Sequence, residues 1–201
     1  MKPTKISRMG PCLLISMPQL QDPNFSQTTS LLSEFGQNGA MGFVLNRPLG
    51  ASISHLMEDF KSKHVDQLDD LQAFWGGPIQ NDRGFIIHED TDLAKDSIRI
   101  SEHLYISSTS EILIHLLEKQ TEKQTEHQTL PNRSRFRLFL GYSGWGPKQL
   151  ESEIAQSSWI TAPLDENLIF DTPPNQIWKK SFENIGVDPN KLASSPQSEA
   201  N

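Results

Sequence analysis

The sequence predicts an α+β fold, because short strand-like runs outnumber helical segments and follow one another in hairpins. The clearest hairpin signal is the Asn38-Gly39 pair, which lies between two apolar runs at 28–35 and 40–46. The other strand-like runs are short, apolar and bounded by Gly, Pro or Ser: 71–75, 85–88, 97–100, 104–107 and 135–142. At 201 residues, the chain is predicted to form a single domain over 1–192.

The first half of the chain supplies this hairpin, a strand before it and a helix after it. The first strand is predicted at 12–17, where Pro18 ends it. A helix is an alternative for 27–35, although the Thr-Thr pair in that segment favours a strand. Residues 52–60 predict a helix, because their apolar side chains recur at the spacing of one helix face.

The second half contains the longer predicted helices and one polar tract. Ser110 is predicted to cap a helix whose Ile112, Leu113 and Leu116 face the core. The tract at 119–132 repeats Thr-Glu-Lys-Gln and then Thr-Glu-His-Gln, which in a helix would place like charges four residues apart. We therefore expect a low-complexity loop or insertion there, or a frayed extension of the preceding helix.

Three elements and a tail complete the prediction. A helix is expected over 147–156 with Pro147 at its first position, where a proline is tolerated. A short strand is expected at 168–170, followed by a last amphipathic helix over 174–185. Residues 193–201 are polar and predict a disordered C-terminal tail.

Composition narrows the function classes. No apolar run approaches the roughly 18 residues that span a bilayer, and residues 1–10 lack the apolar core of a secretory signal. Cys12 is the only cysteine, so no internal disulfide forms and the thiol is expected to be a small core residue. These features predict a cytoplasmic protein that has no membrane association and needs no cofactor.

The charge pattern argues against direct nucleic-acid binding. The formal net charge is −7, whereas DNA-binding proteins draw much of their affinity from Lys and Arg on phosphates. The densest cationic stretch holds Arg133, Arg135 and Arg137, which alternate and are expected to share one solvated strand face. A regulatory role would then act through a protein partner or a small anionic ligand.

Three glycine-rich blocks, at 38–48, 74–88 and 141–151, predict the recognition surface. Each joins a strand-like run to a tight turn that carries polar or aromatic side chains, and binding residues often lie on such loops. The candidate ligand- or partner-binding residues are Asn46, Arg47, Gly76, Gly77, Arg83, Tyr142, Trp145 and Gln149. Arg47 and Arg83 could form forked hydrogen bonds with a carboxylate or phosphate. Alternatively, the same side chains could hold the turns together.

Two catalytic interpretations have less support. Ser143 follows a strand, but the nucleophile-elbow motif needs a glycine where Trp145 stands, and all six histidines precede the serine. His88, Glu89 and Asp92 could hold a divalent metal for hydrolysis, although their spacing matches no complete metal motif. Phosphate-loop and dinucleotide-binding glycine motifs do not occur either. The sequence thus names no catalytic residue and favours binding over catalysis, with a metal-assisted hydrolase as the alternative.

The chain resembles the YqgE/AlgH family of bacterial proteins. The resemblance runs from Leu13 to Asp188 and depends on two unusual strings, Gly-Ala-Met-Gly with Asn-Arg-Pro at 39–48 and Gly-Tyr-Ser-Gly-Trp-Gly-Pro at 141–147. It implies a single α+β domain with a coiled, partly bifurcated and mostly antiparallel sheet packed with a few helices. It also implies a cytosolic protein, often labelled a transcriptional regulator, that has no established reaction.

The chain departs from the family pattern at three places. Ser33-Glu34-Phe35 stands where the family often has Cys-Glu-His, so no redox or metal role follows for this segment. Lys148 replaces a frequent glycine, and the tract at 119–132 resembles an insertion.

Overall fold

The computed structural model describes residues 10–50, 72–125 and 135–193. The chain divides into two compact units: unit 1 runs to Asn46 and resumes at Gly144, and unit 2 runs from Arg47 to Ser143. The helix predicted at 52–60 and most of the tail predicted at 193–201 lie outside the described residues. In the described ranges, no helix is long and apolar enough to cross a membrane.

Strands and helices take the following bounds. The strands are β1 (Cys12–Ser16), β2 (Thr29–Gly36), β3 (Gly39–Val44), β4 (Ala73–Trp75), β5 (Ile79–His88), β6 (Ile98–Arg99), β7 (Tyr105–Ser107), β8 (Phe136–Trp145) and β9 (Trp159–Ala162). The helices are α1 (Ser110–Thr125), α2 (Gln149–Ala155), α3 (Glu166–Phe170), α4 (Pro174–Asn184) and α5 (Pro189–Ala193), and Thr91–Asp96 forms a 3-10 helix.

Unit 1 is built on the strand order β3-β2-β1-β9, with every neighbouring pair antiparallel. The β2–β3 hairpin closes at the Gly36–Gly39 pair, which confirms the predicted hairpin and leaves Gln37 and Asn38 as its two loop residues. Ile177 and Phe182 of α4 are fully buried, and the Ser181 hydroxyl of α4 lies 3.0 Å from that of Thr29 on β2.

A second set of buried side chains in unit 1 surrounds two tryptophans. Trp145 and Trp159 pack with Leu14, Leu32 and Leu150. Cys12 is half-buried against the same cluster, and burial raises the pKa of its thiol to about 11. The predicted core role of this cysteine therefore fits its surroundings, because the thiolate needed for reactivity is suppressed at neutral pH.

Unit 2 contains the strand order β6-β7-β5-β8, and β4 also pairs with β8. The pairings within this unit are antiparallel except β4–β8, which is parallel. As predicted, Ile112, Leu113 and Leu116 of α1 are buried, and they pack on Ile86 and Leu138 of the strands. Together the two units confirm an α+β fold with mostly antiparallel strands.

Three predictions about local structure need correction or refinement. Residues 168–170 are not a strand but part of α3, because the Asp165 side chain accepts hydrogen bonds from the backbone N–H groups of Asn167 and Leu168 and so starts a helix. Pro147 is not the first residue of a helix, since α2 begins at Gln149. Helix α1 continues to Thr125, so the tract at 119–132 is helical in its first part.

Lys148 precedes α2 in the left-handed backbone region, with φ 63° and ψ 1°. A side chain in this region costs about 1–2 kcal/mol, and the entropy lost by a glycine offsets roughly 0.5–1 kcal/mol of that difference.

We expect Lys148→Gly to stabilise the protein by up to about 1 kcal/mol, a rise in Tm of roughly 2–4 °C. Thermal unfolding of the variant measures the shift. Lys148→Ala is the matched control, because it removes the charge but keeps a Cβ in the left-handed region. An equal rise in both variants would show that charge, and not backbone conformation, limits stability.

Candidate functional site

An irregular bulge in β5 is the most distinctive feature of unit 2. Ile79 pairs with Tyr142 and Gly84 pairs with Leu140, so residues 80–83 all lie opposite Gly141 alone. The four residues of this bulge are exposed, and Gln80 has a φ of 52°. Bulges and residues in sparsely populated backbone regions often mark functional sites, because they turn side chains out of the sheet.

The glycines beside the bulge permit close backbone contact between β8 and the segment that follows β4. A Cβ on Gly77 would lie 2.2–2.3 Å from backbone atoms of Tyr142 and Ser143. Gly141 has a φ of +70°, and a Cβ there would lie 2.6 Å from the Gly77 carbonyl oxygen and 2.7 Å from Asn81 Oδ1. Only glycines fit this arrangement, which holds the base of the bulge.

The second and third glycine-rich blocks therefore meet within unit 2, together with the end of the first. The Gly76 N–H donates to the Leu140 carbonyl at 2.8 Å, and the Trp75 N–H donates to the Arg47 carbonyl at 2.8 Å. Four of the predicted site residues in this unit, Arg47, Gly76, Gly77 and Tyr142, thus lie on connected segments around β4 and β8.

Arg83 projects from the bulge in a defined position. Its guanidinium carbon lies 5.4 Å from the centre of the Phe85 ring, and its Nη2 donates to Ser108 Oγ at 3.1 Å. Tyr142 contacts the same Phe85 ring edge-on, with centroids 5.8 Å apart. Arg83 and Tyr142, two residues predicted from separate blocks, are thereby joined through Phe85. We call Arg83, Phe85, Ser108 and Tyr142 the bulge cluster.

Two members of the bulge cluster were missed by sequence reasoning. Phe85 was assigned only to a strand. It directly follows Arg83-Gly84 in the sequence, and its ring contacts both Arg83 and Tyr142. Ser108 is 25 positions from Arg83 and belongs to no motif, so no sequence signal marks it.

The predicted residues in unit 1 have contacts that hold the fold. Asn46 donates to the Gln27 carbonyl at 2.9 Å and accepts from the Thr29 N–H at 3.0 Å. Trp145 is buried, with 5% of its surface exposed. These contacts account for both side chains without a ligand.

A carboxylate joins the two tryptophans of unit 1. Glu153 Oε2 accepts hydrogen bonds from the indole N–H groups of Trp145 at 2.9 Å and Trp159 at 2.8 Å. Its Oε1 accepts from Gln149 Nε2 at 2.9 Å, and Gln149 Oε1 in turn accepts from the Gly146 N–H. Gln149 therefore organises the start of α2. Its four-residue separation from Glu153, one helix turn, was the available signal for this contact.

Ser143 does not have the surroundings of a nucleophile. Its side chain is fully buried, and its Oγ donates to the Gly76 carbonyl oxygen at 3.1 Å. The hydroxyl thus joins β8 to the second glycine-rich block, which agrees with the sequence argument against an elbow.

His88 is buried and hydrogen-bonded through both ring nitrogens. Nδ1 accepts from the Asp90 N–H at 3.2 Å, so Nε2 carries the proton and donates to Ser97 Oγ at 2.9 Å. The Ser97 hydroxyl donates onward to the Leu93 carbonyl, and the Tyr105 ring stacks on the imidazole. Burial lowers the pKa of His88 below its usual 6.5, although the Asp90 charge partly opposes this effect.

The two other residues of the metal alternative have separate partners. Glu89 forms a two-point ion pair with Arg135, at 2.7 Å from Nε and 2.5 Å from Nη2. Asp92 and Asp90 each accept from Lys119 Nζ at 2.8 Å. Burial lowers the pKa of Lys119, but the hydrogen bonds to Asp90 and Asp92 outweigh it and give a net rise. Among the described residues, no three His, Cys, Asp or Glu side chains are grouped to hold a metal ion.

Acid is expected to weaken the fold through His88. Because its pKa is lowered in the folded protein, the unfolded chain takes up the proton first as the pH falls. The neutral imidazole contributes fully to the free energy of unfolding above about pH 6.5. This contribution is lost as the pH falls through the pKa of His88 in the folded protein. Melting curves between pH 7.5 and 5.0 should show a steeper loss of Tm for the parent than for His88→Gln. The exposed His103→Gln serves as control, and equal slopes in all three proteins would contradict this role.

Comparisons with known proteins agree with this fold. The AlgH-like family model matches residues 13–190. A UPF0301 protein of Nitrosococcus oceani is 35% identical over 181 residues, which cover 90% of this chain and 91% of that protein. A UPF0301 protein of Methylococcus capsulatus is 36% identical over 182 residues, with 90% and 91% coverage.

Two solved structures are similar to this chain over nearly its whole length. The solution structure of the AlgH protein from Pseudomonas aeruginosa superimposes with a TM-score of 0.73 at 30% identity, covering 98% of this chain and 99% of that one. A crystal structure of a Corynebacterium diphtheriae protein matches with a TM-score of 0.65, and at 16% identity it is similar in fold alone.

Proposed function

This chain belongs to the AlgH-like family, and we propose that it is a non-enzymatic binding protein whose bulge cluster captures an anionic group. The ligand is a small carboxylate or phosphate compound, or an acidic segment of a protein partner. The observation that carries the proposal is the exposed Arg83 side chain, whose guanidinium lies over Phe85 and bonds to Ser108, at the last position of a four-residue bulge.

The geometry of Arg83 supports anion capture. In the part of the chain that the structure describes, no ion pair joins this guanidinium to a carboxylate, and Arg83 is an exposed residue. A guanidinium that is already oriented loses less entropy when it binds a carboxylate or phosphate through two parallel hydrogen bonds. The Ser108 hydroxyl and the half-buried Tyr142 side chain provide neighbouring polar groups.

The charge of the chain favours a regulatory role that acts through such a ligand or partner over one that acts by direct DNA binding. The chain carries a formal net charge of −7. Two arginines of its densest cationic stretch are engaged inside unit 2, Arg135 by Glu89 and Arg137 over the Phe74 ring at 4.5 Å. Neither forms part of an open basic surface of the kind that binds DNA phosphates.

A thermal-shift screen with di- and tricarboxylates, sugar phosphates and nucleotides tests the proposal. An anion that raises Tm should bind at least about tenfold more weakly to Arg83→Ala, because one forked charge-assisted contact is lost. Arg83→Lys should restore only part of the affinity, since it keeps the charge but loses the fork.

Arg99→Ala is the matched control. Arg99 is also exposed in unit 2, but its guanidinium donates to the carbonyls of Ser101 and Glu102. Equal affinity of the parent and Arg83→Ala for the selected anion would remove the bulge cluster from the function. If no anion binds, a pull-down that compares the parent with Arg83→Ala tests the protein-partner form of the proposal.

A further inference from the structure

An exposed apolar pair, Pro78 and Ile79, stands directly before the bulge of β5 in unit 2. In the described ranges, Ile79 and Ile98 are the two large apolar residues with the most exposed surface, 37% and 73%. A single apolar side chain on a protein surface needs no explanation, so what Ile79 contacts decides whether it has a role.

Strand pairing places Ile79 beside the bulge cluster. Ile79 lies directly opposite Tyr142 in the β5–β8 ladder, and residues in this relation share one face of the sheet, with Cβ atoms about 4.5–5.5 Å apart. The Tyr142 ring in turn contacts Phe85, and the Arg83 guanidinium lies over the same Phe85 ring. These four side chains therefore form a connected row, with a cation at one end and an exposed apolar side chain at the other.

The charges within the bulge favour a carboxylate over a phosphate. In residues 80–83, Arg83 is the only cation and Asp82, the exposed residue before it, is the only anion. The two charges partly cancel for a ligand a few Å away, so the second charge of a phosphate gains little attraction to offset its greater cost of desolvation. A monocarboxylate needs one cation, and its two oxygens match the parallel N–H donors of a guanidinium.

We propose that the anion bound at the bulge cluster is a small amphipathic monocarboxylate. Its carboxylate pairs with Arg83, and its hydrocarbon body covers Pro78, Ile79 and the exposed part of Tyr142. This inference rests on the function proposed above, because it uses Arg83 as the anion contact. It adds that part of the affinity comes from apolar surface, which a sugar phosphate or a short tricarboxylate does not cover.

The test is an NMR titration of the full chain with hexanoate, acetate and 1-hexanol. We expect hexanoate to cause saturable shifts of the backbone amides of Ile79, Arg83 and Tyr142. Acetate should bind at least about tenfold more weakly, because two covered methylene groups are enough for that factor. Hexanol should also bind at least about tenfold more weakly, since it lacks the charged hydrogen bonds.

Three outcomes of this titration would overturn the proposal. The first is equal affinity for hexanoate and acetate, which would remove the apolar contact. The second is no saturable binding of hexanoate by the folded protein. The third is tighter binding of hexyl phosphate, which has the same tail and a doubly charged head, because the site would then select a phosphate.

Ile79→Thr tests the apolar contact directly. It shortens the side chain but keeps a β-branched residue in the strand, so hexanoate should bind roughly threefold or more weakly while acetate binding stays the same. Ile98→Thr is the matched control, because Ile98 is also an exposed strand residue of unit 2 but pairs with Ile106 on β7, away from the bulge. Unchanged hexanoate affinity in Ile79→Thr, or an equal loss in both variants, would contradict the assignment.

Arg83→Ala separates failure of this inference from failure of the proposed function. If it weakens acetate and hexanoate binding alike, and Ile79→Thr weakens hexanoate alone, both proposals stand. If Arg83→Ala weakens both probes but Ile79→Thr weakens neither, the anion site stands and the apolar contact is wrong. If both probes bind to Arg83→Ala as they do to the parent, the anion site is wrong and this inference fails with it.

Discussion

Gly77→Ala is expected to lower Tm by about 6–12 °C. The added Cβ would lie 2.2–2.3 Å from the backbone of Tyr142 and Ser143, so one of the two segments must move. Forcing extra atoms into a well-packed site costs typically 1–3 kcal/mol, and the hydrogen bond from Gly76 to Leu140 resists the movement. We therefore expect about 3 kcal/mol, and in a chain of this length each kcal/mol changes Tm by roughly 2–4 °C.

Gly36→Ala is the control for this substitution. A Cβ on Gly36 would meet no heavy atom within 4 Å, so its Tm should change by no more than about 1–2 °C. Thermal unfolding of both variants measures the difference. Similar losses at the two positions would mean that the contact between Gly77 and β8 is not what limits substitution.

Glu153→Ala should have an effect of similar size. It removes the acceptor of two indole N–H groups, those of the buried Trp145 and Trp159. Each buried donor left without a partner costs about 1–3 kcal/mol, so for two donors we expect a loss of roughly 2–6 kcal/mol. The near-ultraviolet circular dichroism of the two indoles should change as well.

Glu151→Ala provides a control in the same helix. Glu151 lies in the first turn of α2 and favours that helix only through its dipole, a contribution of about 0.3–1 kcal/mol. If the free energy of unfolding fell equally in both variants, the indole contacts of Glu153 would not be the source of its effect.

The sequence predicted those elements that carry a local signal. The β2–β3 hairpin was marked by Asn38-Gly39, whose glycine has a φ of 125° at the start of β3. The buried face of α1 was marked by the spacing of Ile112, Leu113 and Leu116. Helix α3 was missed because its three apolar residues are too few to show a period. A side chain outside the apolar run, Asp165, starts this helix.

The candidate site was predictable in part. Glycine turns with polar side chains pointed to Arg83, Gly77 and Tyr142, and these residues lie close together in unit 2. Phe85 and Ser108 were not found, because their contact with Arg83 depends on strand pairing and not on a motif. In the sequence, a tryptophan beside a glycine turn, such as Trp145, resembles a recognition residue. In the structure this side chain is buried, and its indole N–H donates to Glu153.

If Arg83 binds an anion as proposed, the bulge in β5 places this ligand contact on residues that take no part in the strand pairing. The Ile79–Tyr142 and Gly84–Leu140 pairs close it at both ends, so residues between them can be exchanged without changing the register of the sheet. Relatives of this protein could therefore acquire new ligand preferences by substitution within 80–83 alone. For protein engineering, the same four positions offer a place to vary or insert sequence while the scaffold stays the same.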